Sequence, residues 1–509
     1  MTVEPLVLTL DIGTSSTRVL LWDLRGREID DVHAQVHYQM DTTPDGGEQM
    51  DIRVLRTHVA ECLDQALTQI GDRVSAIQAV GISTFWHSLL GLGADGEPVT
   101  PLYNWSDQRS GIVAQRLRRD LDSHAVHQRT GCVLHSSYYP AKIVWLRETQ
   151  RALYDRVIHW VSPSEYLYGC WFGPNARRVS VSMASGTGLF NQQQNRWDSE
   201  TLHTLSIPEE TLSPIVNLTE RAQGLQGEWA ARWPALKAVP FFPAIGDGAC
   251  GNVGSGCLTP ARFAINLGTS GAIRALWTEE AHPVVSAEHQ NPTVHAPQLV
   301  TPDGLWRYRA DDRRPLMGAA FSDGGRVCDW WRHKLQLPPD DQLDHLIGQM
   351  VPGAHGLTFL PFLAGERSMG WNPDAHAALT GMNLDTDPVE ILRASMEAVA
   401  LRFSLAARRL RDVFPQVKET IASGGAFAHW PSWAQMFADA MNQPVILAEE
   451  PEASSRGAAL LALEAAGLIP GASEVEARLG QTYTPDPARH ARYQELLAKQ
   501  QKLYRQLVG

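Results

Sequence analysis

The amino-acid sequence predicts an α/β protein made of two related halves, and three observations carry that expectation. Leu10-Asp11-Ile12-Gly13-Thr14-Ser15-Ser16 is answered in the second half by Ile265-Asn266-Leu267-Gly268-Thr269-Ser270-Gly271. Apolar strand-like runs alternate with amphipathic helical stretches on both sides of the chain's middle. The chain's 509 residues, 44% hydrophobic and 20% charged, are enough for two or more cores of ordinary globular composition. The expected domains are residues 1–246 and 247–509.

Leu6 to Leu10 and Thr17 to Trp22 read as strands joined by the first Gly-Thr-Ser turn, and Asp23 to Arg27 turns into a third strand from Glu28 to Val36. Leu55, Val59, Cys62, Leu63, Ala66 and Ile70 share one helical face, followed by a buried strand from Ile77 to Ile82. Tyr138 to Leu146 opens a helix with Pro140 in its first turn. Val181 to Gly188 reads as a tight turn, and no GxSxG marks a nucleophilic serine there. Pro240 to Gly256, dense in glycine, reads as the seam between the halves.

The second half repeats the plan. After its Gly-Thr-Ser hairpin, a small-residue stretch from Met317 to Gly325 opens a helix through Trp330 and Trp331, and Gly356 to Leu363 reads as an apolar strand. Asp387-Pro388-Val389-Glu390 is a capping box that starts a helix with Leu392, Met396, Val399, Phe403 and Leu410 on its core side. A strand ends at Ala422, before Ser423-Gly424-Gly425. Trp433, Met436, Phe437, Ala440 and Met441 then mark the next helix.

A formal net charge of −12 argues against nucleic acid or an anionic membrane surface as the main partner and points to a small ligand. The six cysteines form neither a CxxC nor a Cys/His cluster, so no zinc site or disulfide framework is expected. No apolar run approaches the length of a membrane span. The expectation is a soluble cytoplasmic protein, for which a homodimer is compatible.

Four motifs carry chemistry. The paired Gly-Thr-Ser turns combine close backbone approach, successive N–H groups and small hydroxyl donors, a combination suited to phosphate. Trp86-His87 and the loop Trp105-Ser106-Asp107-Gln108-Arg109 offer indole faces and polar groups to a small polyol, or form a surface loop with rim packing. Asp247, flanked by Gly246 and Gly248, is either a carboxylate presented as a general base or a helix cap. Gly424-Gly425 would let a planar ring such as adenine lie on the backbone. Gly246-Asp247-Gly248-Ala249-Cys250-Gly251 also fits GxGxxG, but the Pro-rich lead-in is a poor first strand and no acid follows at the ribose-binding position.

In order along nearly the whole chain, these motifs together with Tyr138 to Trp145 and Gly365-Glu366-Arg367 resemble the FGGY carbohydrate kinases, a branch of the actin-like ATPase superfold. The resemblance implies two actin-like, ribonuclease-H-like domains with a nucleotide and sugar cleft between them. It implies ATP and Mg²⁺ as cofactors, Asp247 as catalytic base, and Asp11, with Asp247, at the metal. Gly13, Thr14, Ser15, Arg18, Gly268, Thr269, Ser270, Gly324, Gly424 and Gly425 would contact nucleotide; Trp86, His87, Trp105, Asp107, Arg109 and Asp247 would contact the sugar. Arg18 stands where some members carry Lys, and the two differ in hydrogen-bond geometry. Phosphoryl transfer needs mainly positioning and charge stabilisation, so no P-loop is required.

Within the family, His87-Ser88, Trp105 to Ser110, and Arg367 with Trp371-Asn372 look more like gluconate kinases than xylulose kinases, with Arg109 meeting a sugar-acid carboxylate. The implied reaction is gluconate to 6-phosphogluconate; a xylulokinase or another pentulose or polyol kinase is the alternative. The rivals of another class are an actin-like ATPase without sugar substrate and a dinucleotide oxidoreductase.

Overall fold

A computed structural model describes residues 4–279 and 299–509. The chain forms two compact units, neither contiguous in sequence. The first takes residues 1–256, 307–316 and 452–476; the second takes 257–306, 317–451 and 477–509. The expected boundary at 246/247 therefore misplaces residues 247–256 and two later segments. The reason is packing that no local pattern announces: the helix Ala453–Ala465 belongs to the first unit.

The first unit's main sheet has five strands in the order Ile245–Gly246, Ile77–Thr84, Leu6–Ile12, Ser16–Trp22, Glu28–His37. The last three form the expected antiparallel meander, and the first two join it in parallel. Leu6–Ile12 is central and buried on both faces, which explains its near-continuous apolar run. Helix Ile52–Ile70 is capped by Asp51, whose side chain accepts from the Arg53 amide, and it buries the predicted stripe.

Ala453–Ala465 lies against helix Asp247–Gly254 at backbone contact. A methyl group at Gly254 would fall 1.8 Å from the Ala453 carbonyl oxygen, and one at Gly457 would fall 1.9 Å from that of Cys250. Only glycine permits this approach. Arg456, buried in the same helix, donates to the carbonyls of Gly26, Gly254 and Glu476 and ties these segments together.

The second unit's sheet repeats the plan, with strands in the order Pro315–Phe321, Gly271–Leu276, Arg262–Leu267, Glu419–Ser423, Val445–Ala448, Leu479–Tyr483. The strand before the Gly-Thr-Ser turn again has its antiparallel hairpin partner on one side and a parallel strand on the other. The capping box at Asp387 and Glu390 is present, and helix Pro388–Val413 buries its apolar side in this unit's core.

Local expectations fail in three places. Met317 to Phe321 is strand rather than the lead-in of a helix, because its small residues pack within the sheet. The predicted strand over 356–363 shortens to Thr358–Leu360. Val181–Ser185 is a short helix capped by Ser180, and the turn follows it at Gly186. All six cysteines are free, and among the described residues no helix is long and apolar enough to cross a membrane.

Candidate active site

In the first unit, three neighbouring strand ends bring acidic groups together. Asp11, next to last in its strand, lies opposite Arg18 on one side and Ser83 on the other. Ser83 pairs in turn with Ile245, two residues before Asp247. Asp247 is the first residue of its helix, with Gly246 as the cap, so the cap reading is displaced by one residue. Its carboxylate accepts from the Gly248 amide at 2.7 Å, and its carbonyl accepts from Ser454 Oγ at 3.4 Å.

Burial pushes the Asp11 carboxyl up to about 6. The Ser83 hydroxyl and the Arg18 guanidinium oppose that rise, while the negative charges of Asp247 and Glu452 add to it. Arg18 pairs with Glu452 at 3.6 Å. Glu452, immediately before Ala453–Ala465, is a site residue that the sequence reading missed. Nothing near it in the chain resembles a motif, and it arrives only because its helix crosses to the first unit.

Beside Asp247, the Trp86 indole is held between two glycines. A methyl at Gly246 would come within 1.8 Å of the ring and one at Gly186 within 2.8 Å. Its Nε1 donates to the Ser182 carbonyl at 3.0 Å, and Ser182 Oγ accepts from the Gly246 amide at 3.1 Å. Trp86 is thus locked against the strand end that leads into Asp247.

His87 adopts a left-handed backbone with φ 68°, unusual for a residue with a side chain and frequent at functional positions. Its ring meets the edge of Tyr138 at 4.9 Å and lies 5.3 Å from Tyr308, which is also 5.2 Å from Trp86. The Tyr138 and Tyr308 hydroxyls share a hydrogen bond of 2.5 Å. Tyr308 completes this aromatic group, and its place was not legible, because its strand is far away in sequence.

The structure commits Asp107 and Arg109 to each other. Their ion pair of 2.5 Å is buried, Arg109 also donates to Gln49 Oε1, and its guanidinium stacks on Tyr103 and Trp145 at 5.3 and 5.1 Å. Asp107 accepts from the backbone amides of Glu48 and Arg109. These bonds pin the 46–49 loop and draw Arg109 away from the role of carboxylate receptor. Trp105 is partly buried against the first unit's core.

Both Gly-Thr-Ser hairpins are present, with one restriction on any anion they could bind. The Gly13 amide is spent on the Ser16 carbonyl at 2.8 Å, and the Gly268 amide on that of Ser270 at 3.0 Å. Any anion nest must therefore use the Thr and Ser positions. In the second unit, substituent space sorts the four glycines. A methyl at Gly324 would meet the Ser270 carbonyl oxygen at 2.6 Å, and one at Gly424, with φ 106°, the Leu267 carbonyl oxygen at 2.4 Å. At Gly268 and Gly425 no described atom lies within 4 Å. The first pair packs the turn; the second pair faces open space.

Residues 6–254 match the family model of the FGGY carbohydrate kinases, N-terminal domain, and residues 264–466 match that of the C-terminal domain. The chain belongs to the FGGY family of carbohydrate kinases. An FGGY kinase is an ATP-dependent phosphotransferase, which removes both the sugar-free ATPase and the oxidoreductase readings. Gly246 to Gly251 does follow a strand and open a helix, the context denied to it above, but the strand has two residues and lies at the sheet's edge.

This FGGY chain is 27% identical over 498 residues to a gluconokinase of Bacillus subtilis (strain 168), covering 94% of this chain and 91% of the relative. It is 27% identical to a glycerol kinase of Alkalilimnicola ehrlichii, covering 99% and 98%. The solved gluconate kinase from Lactobacillus acidophilus aligns with a TM-score of 0.87 at 25% identity, covering 99% of this chain and 98% of that one.

Proposed function

We propose that this kinase transfers the γ-phosphoryl group of ATP to a hydroxyl of gluconate, with Asp247 as the general base. The observation that carries the mechanism is the placement of Asp247 at a strand-to-helix junction, close enough to Asp11 for their charges to repel, with its neighbour Gly246 against the ring of Trp86. A base so placed takes the hydroxyl proton as the oxygen attacks phosphorus, while the protein's other groups orient and stabilise. Trp86, His87, Tyr138 and Tyr308 exclude water and present ring faces to the sugar's C–H surface.

Asp11 fits a divalent cation. Its carboxyl is desolvated and bears the repulsion of Asp247 and Glu452, a strain that a bound cation relieves. Among the described residues no three acidic, His or Cys side chains group to hold a metal by themselves. Mg²⁺ binds through one or two carboxylates and completes its shell with phosphate oxygens and water. When bound, the ion supplies charge neutralisation on the phosphates. In the first unit, Arg18 and the hydroxyls of Thr14 and Ser15 would add donors to phosphate; in the second, the hydroxyls of Thr269 and Ser270 would do the same, and Gly425 leaves an open backbone face for an adenine ring.

Gluconate is supported by the gluconokinase relatives and by the motif likeness around His87 and Trp105. A pentulose is the second reading. The Lactobacillus acidophilus xylulose kinase aligns equally well, with a TM-score of 0.87 at 25% identity, and Arg109 is occupied by Asp107. A coupled assay of ADP release across gluconate, xylulose, ribulose and glycerol tests the assignment. The expected result is the highest kcat/KM with gluconate; a preference for xylulose of tenfold or more selects the second reading.

A further inference from the structure

The first unit also holds a cavity of about 320 Å³, at the small end of the range for ligand pockets, whose lining includes none of the candidate site residues. Its floor is apolar and aromatic, with Tyr168, Phe172, Val216 and Pro243, and Arg178 and Arg221 stand at its exposed rim. Glu220 answers Arg178 at 3.3 Å, so the rim keeps a net positive charge on a protein whose overall charge is −12. The rings suit the C–H face of a sugar, and the Arg221 guanidinium, with that of Arg178 shared with Glu220, suits a phosphate monoester, which guanidiniums bind with charge-assisted bonds.

The cavity wall leads to the catalytic base by a short path of hydrogen bonds. Ser180, in the wall, donates to the carbonyl of Ala244, also in the wall, at 2.5 Å, and accepts from the Met183 amide at 3.0 Å. Ala244 is three residues before Asp247. From the same short helix, Ser182 holds both the Gly246 amide and the Trp86 indole. An occupant touching Ser180 and Ala244 therefore bears on the two segments that set the base and its neighbouring ring.

We propose that this cavity is a second ligand site, one that takes a phosphorylated sugar or sugar acid and shifts turnover through the Ser180–Ala244 wall. The site does not depend on which sugar the kinase phosphorylates. Binding stoichiometry is measured by calorimetry on the full chain with 6-phosphogluconate, glucose 6-phosphate and inorganic phosphate. Turnover is measured with the chain's own best sugar, with and without glucose 6-phosphate.

The expected result is one glucose 6-phosphate and two 6-phosphogluconate per chain, with no binding of free phosphate at equal concentration. Arg178→Ala/Arg221→Ala loses one equivalent of each sugar phosphate and keeps its basal kcat. Ala222→Trp, which fills the cavity without removing charge, does the same. Glucose 6-phosphate shifts the wild-type kcat by about fivefold or more, the scale of a modest coupling between sites, and leaves both variants unchanged. Absence of glucose 6-phosphate binding, binding that survives both variants, or binding without a change in kcat each overturns the proposal. Failure of the gluconate assignment alone would leave the glucose 6-phosphate arm intact.

Discussion

The two Gly-Thr-Ser hairpins each follow a strand with an antiparallel partner on one side and a parallel one on the other, and each spends its glycine amide within the turn, yet the first closes Ile12 on Thr17 and the second Leu267 on Gly271, and they differ in the residue before the turn. In the first unit it is Asp11, half-buried, repelled by Asp247 and Glu452 and countered by Arg18. In the second it is Asn266, exposed, its Nδ2 3.4 Å from Ser423 Oγ. One turn is set among charges and the other among packed glycines. The same backbone device thus sits beside an acidic cluster in one unit and among close-packed glycines in the other, and neighbours drawn from elsewhere in the chain decide which.

The sharpest break of this comparison is at Asp247, the proposed base. Asp247→Ala is expected to lower kcat by about 10²- to 10⁴-fold while ATP affinity by calorimetry stays within a factor of a few. Turnover within threefold of wild type would remove Asp247 from the mechanism. On the packed side, Gly324→Ala should destabilise the fold by about 1–3 kcal/mol, because its methyl overlaps the Ser270 carbonyl oxygen. Gly268→Ala, with open space around it, should leave the melting temperature unchanged and weaken ATP binding instead. Equal melting temperatures for the two variants would contradict the sorting of these glycines.

Making the second turn resemble the first is a milder perturbation. Asn266→Asp places a carboxylate near the phosphates and should raise the KM for ATP about tenfold, roughly 1.4 kcal/mol, with little change in the KM for sugar. An unchanged KM would place the triphosphate away from that residue.

The smallest effect concerns stability and pH. The Asp11 carboxyl is raised in the folded chain to about 6 from an ordinary value of 3.8. Above pH 6 the folded state therefore carries the cost of a desolvated charge; as pH falls through 6 the folded state takes up the proton first, and the cost disappears by about pH 4. Asp11→Asn should stabilise the metal-free protein by about 1 kcal/mol at pH 8, with the gain fading below pH 5. A gain that grows towards acid pH would reverse the assigned sign.

What could be read before folding was whatever depends on near neighbours in the chain. The hairpins around Gly13 and Gly268, the capping box at Asp387, the apolar stripe of Ile52–Ile70 and the junction at Asp247 all formed within a residue or so of their expected places. Arg109 was legible as a cation in the right loop, but its partner was not, since Gln49, Tyr103 and Trp145 meet it only after the loop is placed. Met317 to Phe321 misled because small residues suit a helix start as well as a crowded strand.

By itself the sequence determined that there are two related α/β halves, that each carries a Gly-Thr-Ser turn, and that an acid stands at a strand-to-helix junction, because periodicity, turn chemistry and caps act over a few residues. Only the tertiary structure decided that Glu452 and Tyr308 join the first unit, that Asp11 holds its proton to about pH 6, and which glycines pack and which face open space. Those outcomes rest on burial and on backbone contact between segments far apart in the chain. Desolvation and close approach exist only once such segments have met.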